Sequence, residues 1–212
     1  MKYIILALLV FMMTFGLAYA QSVFGIKGGM NISRISGDDA IGSSDSHLGM
    51  HVGFLMQYNL MQALVIQPEL LYTQKGYNYK YSVGDIDYKV SNSFDYIELP
   101  LLIKLNAAIG DIKIQPFIGP SISYLVSAKQ KEKLSSDSNT TTVTHTNDVS
   151  DNINNVAFGF AVGAEFVFMK KYILGGRYNF GLSDIYKKNL TGQGPDVQNG
   201  VFMLNLGYLF NK

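Results

Sequence analysis

The sequence predicts an all-β fold: an eight-stranded antiparallel up-and-down transmembrane β-barrel with short periplasmic turns and four longer external loops. Three observations carry this reading. Eight segments alternate between apolar and polar residues with the two-residue period of a strand that has unlike faces. Their connections alternate between long and short, and both ends of the chain fall on the short side. In all eight segments the apolar face is free of charge, while the opposite face mixes charges with glycine and alanine.

Asp95 to Asn106, DYIELPLLIKLN, shows the pattern most clearly. Ile97, Leu99, Leu101, Ile103 and Leu105 point one way; Tyr96, Glu98, Pro100, Leu102, Lys104 and Asn106 point the other. Alternation alone also fits a soluble lipocalin-like barrel, which would turn the aliphatic row inward. The composition of the polar face selects the inverted arrangement. A narrow lumen needs small residues among a few long ones, whereas a wetted outer surface would carry more charge. Charge on the lipid side costs about 2–4 kcal/mol for Arg or Lys at mid-bilayer, so its absence from the aliphatic face is expected.

In chain order, the first strand sets Phe24, Ile26, Met30 and Ile32 against Gly25, Lys27, Gly29, Asn31 and Ser33. A polar loop near Ile35 to His47 follows. The second strand sets Leu48, Met50, Val52, Phe54, Met56 and Tyr58 against Gly49, His51, Gly53, Leu55 and Gln57. The third carries Ile66, Pro68, Leu70 and Tyr72 opposite Gln67, Glu69, Leu71 and Thr73, extended by Tyr77, Tyr79 and Tyr81. A short polar loop around Ser82 to Lys89 leads to the fourth, described above, which ends in a turn at Ala107 to Asp111.

The fifth strand, from Ile112 to Val126, precedes the longest polar tract, Lys129 to Asn155, read as a mobile loop in which Thr140 to Thr146 could prolong the hairpin. The sixth strand runs from Val156 to Phe168 and turns at Met169 to Lys171 into the seventh, Tyr172 to Ser183. A last polar loop, Asp184 to Asn199, precedes the eighth, from Phe202 to Phe210.

The 212-residue chain carries a formal net charge of +1 and no cysteine, which excludes disulfides and thiolate chemistry and gives no basic face for nucleic acid. Residues 1–20 read as a secretory signal: Lys2, an apolar run from Ile4 to Leu17, and the small-x-small site Ala18-Tyr19-Ala20. Residues 21–212 are then the barrel domain, placed in the outer membrane of a Gram-negative-type cell.

Several segments resemble one family. FGIKGGMNIS (Phe24 to Ser33), IQPELLYTQKG (Ile66 to Gly76), DYIELPLLIKLN, PFIGPSISYL (Pro116 to Leu125), GGRYNFGLSDI (Gly175 to Ile185) and LNLGYLF (Leu204 to Phe210) are similar to the PorT-like small outer-membrane β-barrels. The resemblance implies an integral eight-stranded barrel and little about activity; the family's namesake is associated with type IX secretion and gliding machinery. The final strand also resembles the assembly signal read by the outer-membrane insertion machinery, with Tyr208 and Phe210 as its aromatics. Asn205 stands where that signal has a glycine, and the chain runs on through Lys212.

The polar face supplies the candidate site: a structural lumen cluster of Lys27, Glu69, Glu98, Lys104, Glu165 and Arg177. Counting outward from the Met169–Lys171 turn, Glu165 and Arg177 are expected opposite one another as an ion pair. His51 lacks an identifiable nucleophile and orienting group, so it reads as a hydrogen-bonded lumen histidine. His47 and His145 sit in loops, and no His/Asp/Glu spacing suggests a metal. No catalytic residue and no cofactor is assigned. Lys129, Lys131 and Lys133 read as a solvated loop base, with anionic lipopolysaccharide as the alternative partner. Pro68, Pro100 and Pro116 each remove a ladder donor at similar height on neighbouring strands, which predicts a seam of bulges or weakened pairing, with a lateral opening as the alternative.

These features point to a non-enzymatic outer-membrane barrel with a structural or interaction role, through its external loops or within an envelope or secretion assembly. Its expected partners are outer-membrane lipid and lipopolysaccharide, the insertion machinery and an unspecified envelope protein. A small-solute channel and a barrel enzyme acting on envelope lipid are the alternative classes.

Overall fold

The computed structural model describes residues 22–37, 44–84, 86–136, 139–187 and 194–210. The expected signal segment 1–20 and part of the first polar loop lie outside the described residues. The strands are β1 (Ser22–Ser36), β2 (Asp45–Met61), β3 (Leu64–Val83), β4 (Ile86–Leu105), β5 (Ala107–Ile109), β6 (Ile112–Ser136), β7 (Asn139–Asp148), β8 (Val156–Phe168), β9 (Tyr172–Gly181) and β10 (Gln198–Leu209).

Antiparallel pairing runs in the order β4-β3-β2-β1-β10-β9-β8-β6, and β4 pairs with β6 to close the ring. Eight staves therefore form an up-and-down barrel without an edge strand. β5 continues the β4 line along β6, and β7 is added to β6 beyond the ring. Closure satisfies the backbone ladder internally, the condition for a sheet surrounded by hydrocarbon.

The barrel is inside out. Phe54 is 65 % exposed and Leu206 65 %, whereas Glu69, Glu98, Lys104 and Glu165 are 0 % exposed. Outward aromatics gather at two heights, as the flanks of a lipid-facing belt do. At the short-turn end Phe168, Tyr172, Tyr208 and Phe210 form one group, with Tyr172 and Tyr208 ring centroids 5.5 Å apart. Further along the staves, Tyr178 lies edge-on to Phe180 at 4.6 Å.

The reversals at the short-turn end are tight. Gly110 adopts φ +59°, and at the β8–β9 turn Met169 (φ 50°) and Lys170 (φ 59°) are both left-handed. That turn is closed by the Lys171 amide donating to the Phe168 carbonyl at 2.9 Å. Consecutive positive φ angles match the right-handed twist of the flanking strands.

The other end departs from the sequence reading. The expected Ser82–Lys89 loop is a reversal at Gly84 (φ +61°), because β3 reaches Val83 and β4 starts at Ile86. Most of the expected Lys129–Asn155 loop is also sheet: β6 continues to Ser136, β7 returns along it, and a single 3-10 turn (Ser150–Asn152) follows. The β-branched threonines of β7 favour a strand even where both faces are polar. The upper halves of β3, β4 and β6, together with β7, form a ribbon that rises from one side of the ring.

The expected proline seam is present. Rungs of the β2–β3 ladder stop at Leu55↔Glu69 and resume at Tyr58↔Ile66, beside Pro68. The β4–β5 line loses its rungs to β6 between Lys104↔Phe117 and Ala107↔Ile114, where Pro116 lies. Rungs of the β3–β4 ladder are present at Pro68↔Leu101 and again at Leu71↔Glu98, but absent between them, where Pro100 lies. On the other side of β4, rungs stop at Pro100↔Ser121 and resume at Ile103↔Ile118, a gap that contains Pro120. The pairing is weakened there without a register shift. A bulge occurs higher up, where Val126 is inserted between the rungs Tyr96↔Leu125 and Asp95↔Ser127.

A closed eight-stave ring should survive detergent until heated. The protein is expected to shift its gel mobility on boiling in detergent. Recovery in a detergent-free soluble fraction would contradict the transmembrane fold.

Candidate functional site: the charged lumen and its two caps

The inward residues of the staves fall into three layers. At the short-turn end Leu55, Val167, Ile173 and Leu209 form an apolar cap, with Val23 against it. Charged and amide side chains fill the middle. At the long-connection end Tyr77, Phe94, Tyr96, Leu125, Ala128, Ile153, Ile185 and Val197 form a second apolar cap.

In the middle layer, charges alternate in sign along one continuous chain. Lys104 pairs with Glu165 Oε2, whose Oε1 lies 2.7 Å from Lys27 Nζ. Lys27 also reaches Glu69 Oε1 at 2.7 Å, and Glu69 Oε2 accepts from Arg177 at 2.8 Å. Arg177 continues to Glu98 Oε1 at 3.5 Å, and Glu98 Oε2 receives Lys75 at 2.5 Å. Every carboxylate touches two cations, so no acid is left stranded where water is scarce. Since β3 and β9 are four staves apart either way round the ring, the Glu69–Arg177 pair spans the full lumen.

Amides and hydroxyls satisfy what the charges leave over. Asn179 Nδ2 donates to Glu98 at 2.8 Å, and the Ser123 hydroxyl donates to Glu98 at 3.3 Å. Gln57 donates to Gln67 at 2.8 Å, which in turn donates to Glu69 at 2.5 Å. The Lys104 ammonium lies 5.2 Å from the centroid of Phe117, and that of Lys75 lies 5.3 Å from the centroid of Tyr96, both within cation–π range.

All six residues named from the sequence, Lys27, Glu69, Glu98, Lys104, Glu165 and Arg177, lie in this layer, but the expected Glu165–Arg177 pair does not form. The turn is centred on Lys170, so Glu165 stands opposite Gly175 and Arg177 opposite Gly163. A Cβ at Gly163 would come within 2.7 Å of Arg177 Cβ and Phe117 Cζ, and one at Gly175 within 2.6 Å of Glu165 Cγ. Each long side chain has a glycine as its cross-strand neighbour and extends over it to the far wall.

Lys75 was missed by the sequence reading. The inward parity of Gln67, Glu69, Leu71 and Thr73 continues to it within the third strand as extended to Tyr81, and that parity was the signal that could have found it. His51 is buried, with Nδ1 2.7 Å from Asn31 Oδ1, and Asn31 Nδ2 donates to Thr73 at 2.9 Å. Among the described residues no group of His, Asp and Glu could hold a metal ion.

The upper cap comes from segments that the sequence marks only as polar. Asn154 Nδ2 donates to the carbonyls of Asp184 and Tyr186 at 2.9 and 3.0 Å, zipping the segment after β7 to the segment after β9. Ile153 pairs with Tyr186 in an isolated bridge, and the Tyr77 and Tyr186 hydroxyls meet. Burial raises the Tyr186 phenol above its ordinary pKa and keeps it neutral under this lid. Beneath the lid, a cavity of ≈ 20 Å³ lined by Lys75, Ser123, Asn154 and Asn179 has room for about one water. Outside it, Asn154, Leu182, Ser183, Asp184, Asp196 and Gln198 line an open vestibule of ≈ 630 Å³.

Residues 19–187 match the family described as outer membrane protein beta-barrel domain. The chain belongs to that family. The match ends before β10, which in this chain pairs with β1. Solved structures similar to this family member include Ail of Yersinia pestis bound to the heparin analogue sucrose octasulfate. That structure is 17 % identical, with 90 % of this chain and 99 % of Ail covered, at a TM-score of 0.47. OprG of Pseudomonas aeruginosa is 15 % identical over 91 % and 97 % of the two chains, with a TM-score of 0.48. Neisserial surface protein A is 12 % identical over 89 % and 98 %, with a TM-score of 0.46. No curated protein matches the sequence.

The ion-pair geometry sets two contrasting double-mutant cycles. Removing one partner of a buried pair costs about 3–5 kcal/mol because the other charge is stranded. Lys104→Ala and Glu165→Ala, unfolded in urea and followed by circular dichroism, should each destabilise the barrel. Their coupling should be about 1–3 kcal/mol. Glu165→Ala combined with Arg177→Ala should couple more weakly, since the two meet only through Lys27 and Glu69. Equal coupling in both cycles would refute the pairing described here.

Proposed function

We propose that the protein is a non-enzymatic, non-conducting outer-membrane barrel that works as an interaction or structural part of an envelope assembly through its long-connection end. The observation that carries this reading is the closure of the lumen by the alternating charge chain between two apolar caps. A diffusive channel needs an open polar path; here apolar clusters lie toward both mouths. At the short-turn end the amides of Gln57, Gln67 and Gln115 are hydrogen-bonded to one another beside the aliphatic cluster. Lumen charges that are each engaged by partners are also poorly placed to act as acid or base on a substrate.

The same reading takes residues 1–20 as a signal cleaved near Ala20, residues 21–212 as one barrel domain, and the long-connection end as external. It includes the finer affiliation with the PorT-like barrels, supported by the six segments quoted above. The insertion machinery and an envelope protein remain the proposed partners. The ribbon is the surface offered to such a protein, since it extends beyond the lipid belt on one side only.

In planar bilayers the refolded protein should show no conductance steps above the protein-free baseline; a reproducible open level would overturn the sealed-lumen reading. The topology has its own test. An epitope inserted between Ser136 and Asn139 should be labelled by antibody on intact cells, and one at Gly110 should not. Reversed labelling would invert the barrel in the membrane.

A further inference from the structure

We propose that the outward face of the ribbon is a phosphate-binding ladder for the lipopolysaccharide of the surrounding outer leaflet, formed by Lys80, Lys89, Lys129, Lys131 and Lys133. The proposal rests on the reading that the long-connection end is external.

Strand register brings these lysines together. Lys80 stands opposite Lys89, and Lys89 opposite Lys133, so three ammonium groups form one cross-strand row. Directly opposed side chains have Cβ atoms about 4.5–5.5 Å apart, and like charges there repel. Lys131 and Lys129 continue the basic face down β6, opposite Ser91 and Ser93.

Acidic relief on this face lies at its margins. Lys80 meets Asp45 at 3.4 Å in an exposed pair. Asp87 accepts from the Ser82 hydroxyl at 2.5 Å, and Asp148, opposite Lys129, accepts the Ser150 amide at 2.9 Å. Lys89, Lys131 and Lys133 have no ion-pair partner among the described residues. A row of repelling cations is stabilised by anions that bridge them, and phosphate oxygens accept from several ammonium groups at once.

The face on which the lysines lie identifies the source of those anions. The outward row of β4 runs from Lys89 through Ser91 and Ser93, past Asp95 at the lower margin of the basic face, to Ile97, Leu101 and Ile103 of the lipid-facing belt. On β6 the lysines would have pointed inward had the strand kept its parity. The inserted Val126 shifts that parity by one residue, so Lys129, Lys131 and Lys133 share the outward face with Lys89. Lys129 follows Val126 by three residues and Lys133 by seven, which sets the ladder roughly 8 to 18 Å beyond the belt in a tilted stave. That is the zone of the glycolipid's phosphates and phosphorylated inner sugars, continuous with the lipid contact below.

The experiment uses the mature chain folded in detergent, with fluorescently labelled lipopolysaccharide in mixed micelles. The unaltered protein should bind phosphorylated lipopolysaccharide with a strong salt dependence and should lose most of that binding to an enzymatically dephosphorylated preparation. The triple change Lys89→Gln, Lys131→Gln, Lys133→Gln should weaken binding about tenfold to a hundredfold at low salt. Lys170→Gln at the opposite end should change nothing. Unchanged gel mobility of the unboiled triple variant would show that its barrel is intact; the dephosphorylated arm needs no variant at all. Equal binding of phosphorylated and dephosphorylated lipopolysaccharide, or a triple variant that binds like the parent, would overturn the proposal. Displacement by millimolar inorganic phosphate would reassign the face to free anions. Phosphate-dependent binding in micelles alongside periplasmic labelling of the ribbon would sink the topology and leave the site standing.

Discussion

An eight-stave ring has a fixed, narrow interior, and the alternating charge chain inside it is what the rest of the structure depends on. Because the outer face is apolar, an apolar lumen would leave each strand with two similar faces and little to fix its register. A one-residue slip reverses every side chain. Here such a slip would carry Lys27, Glu69, Lys104 or Arg177 into hydrocarbon, at about 2–4 kcal/mol for each Lys or Arg at mid-bilayer. The buried charges therefore specify the register whether or not they add net stability over an apolar filling.

The charge chain also decides where glycine belongs. Gly163 and Gly175 lie opposite Arg177 and Glu165, and any Cβ there would meet those side chains or their backbone. The sequence shows glycines on the polar face without showing which charge each accommodates. The turn at Met169 to Lys171 is centred on Lys170, as the sequence places it, and the registers on either side follow from that centre. A shift of two residues along one strand keeps every side chain on its face, so face assignments survive while individual ion pairs do not. The membership of the lumen cluster follows from alternation, whereas the expected Glu165–Arg177 pairing overlooks that the two stand five and seven residues from Lys170.

Legibility fell away with distance from the lipid belt. Within it, hydrocarbon on one side and a crowded lumen on the other impose a sharp contrast between neighbouring residues. Beyond it, β7 and the upper part of β6 have mostly polar residues on both faces, and Lys129 to Asn155 therefore read as loop, with only Thr140 to Thr146 marked as able to prolong the hairpin. The alternation of lysine with Gln130, Glu132 and Leu134 was present, but nothing in composition separates two wet faces. The bulge at Val126 was equally silent, since an inserted residue looks like any other until its partner strand is known. Ile153, Ile185 and Val197 stood out only as isolated aliphatics in polar surroundings, and their burial depends on two loops being tied together by Asn154.

The prolines connect the lumen to the wall. Pro100 and Pro120 leave gaps in the ladders on both sides of β4. Those gaps lie between Glu98 and Lys104, the two residues through which β4 joins the charge chain. β4 is thus least supported by its neighbours at the height where Arg177 on β9 and Glu165 on β8 hold it from across the lumen. Ladder bonds lost in the wall are offset by ion pairs through the interior. The same stave continues upward as the middle of the ribbon. A disturbance of the charge chain would accordingly reach the ribbon through β4, whereas β9 and β10, short and fully laddered, would carry it no further than the vestibule.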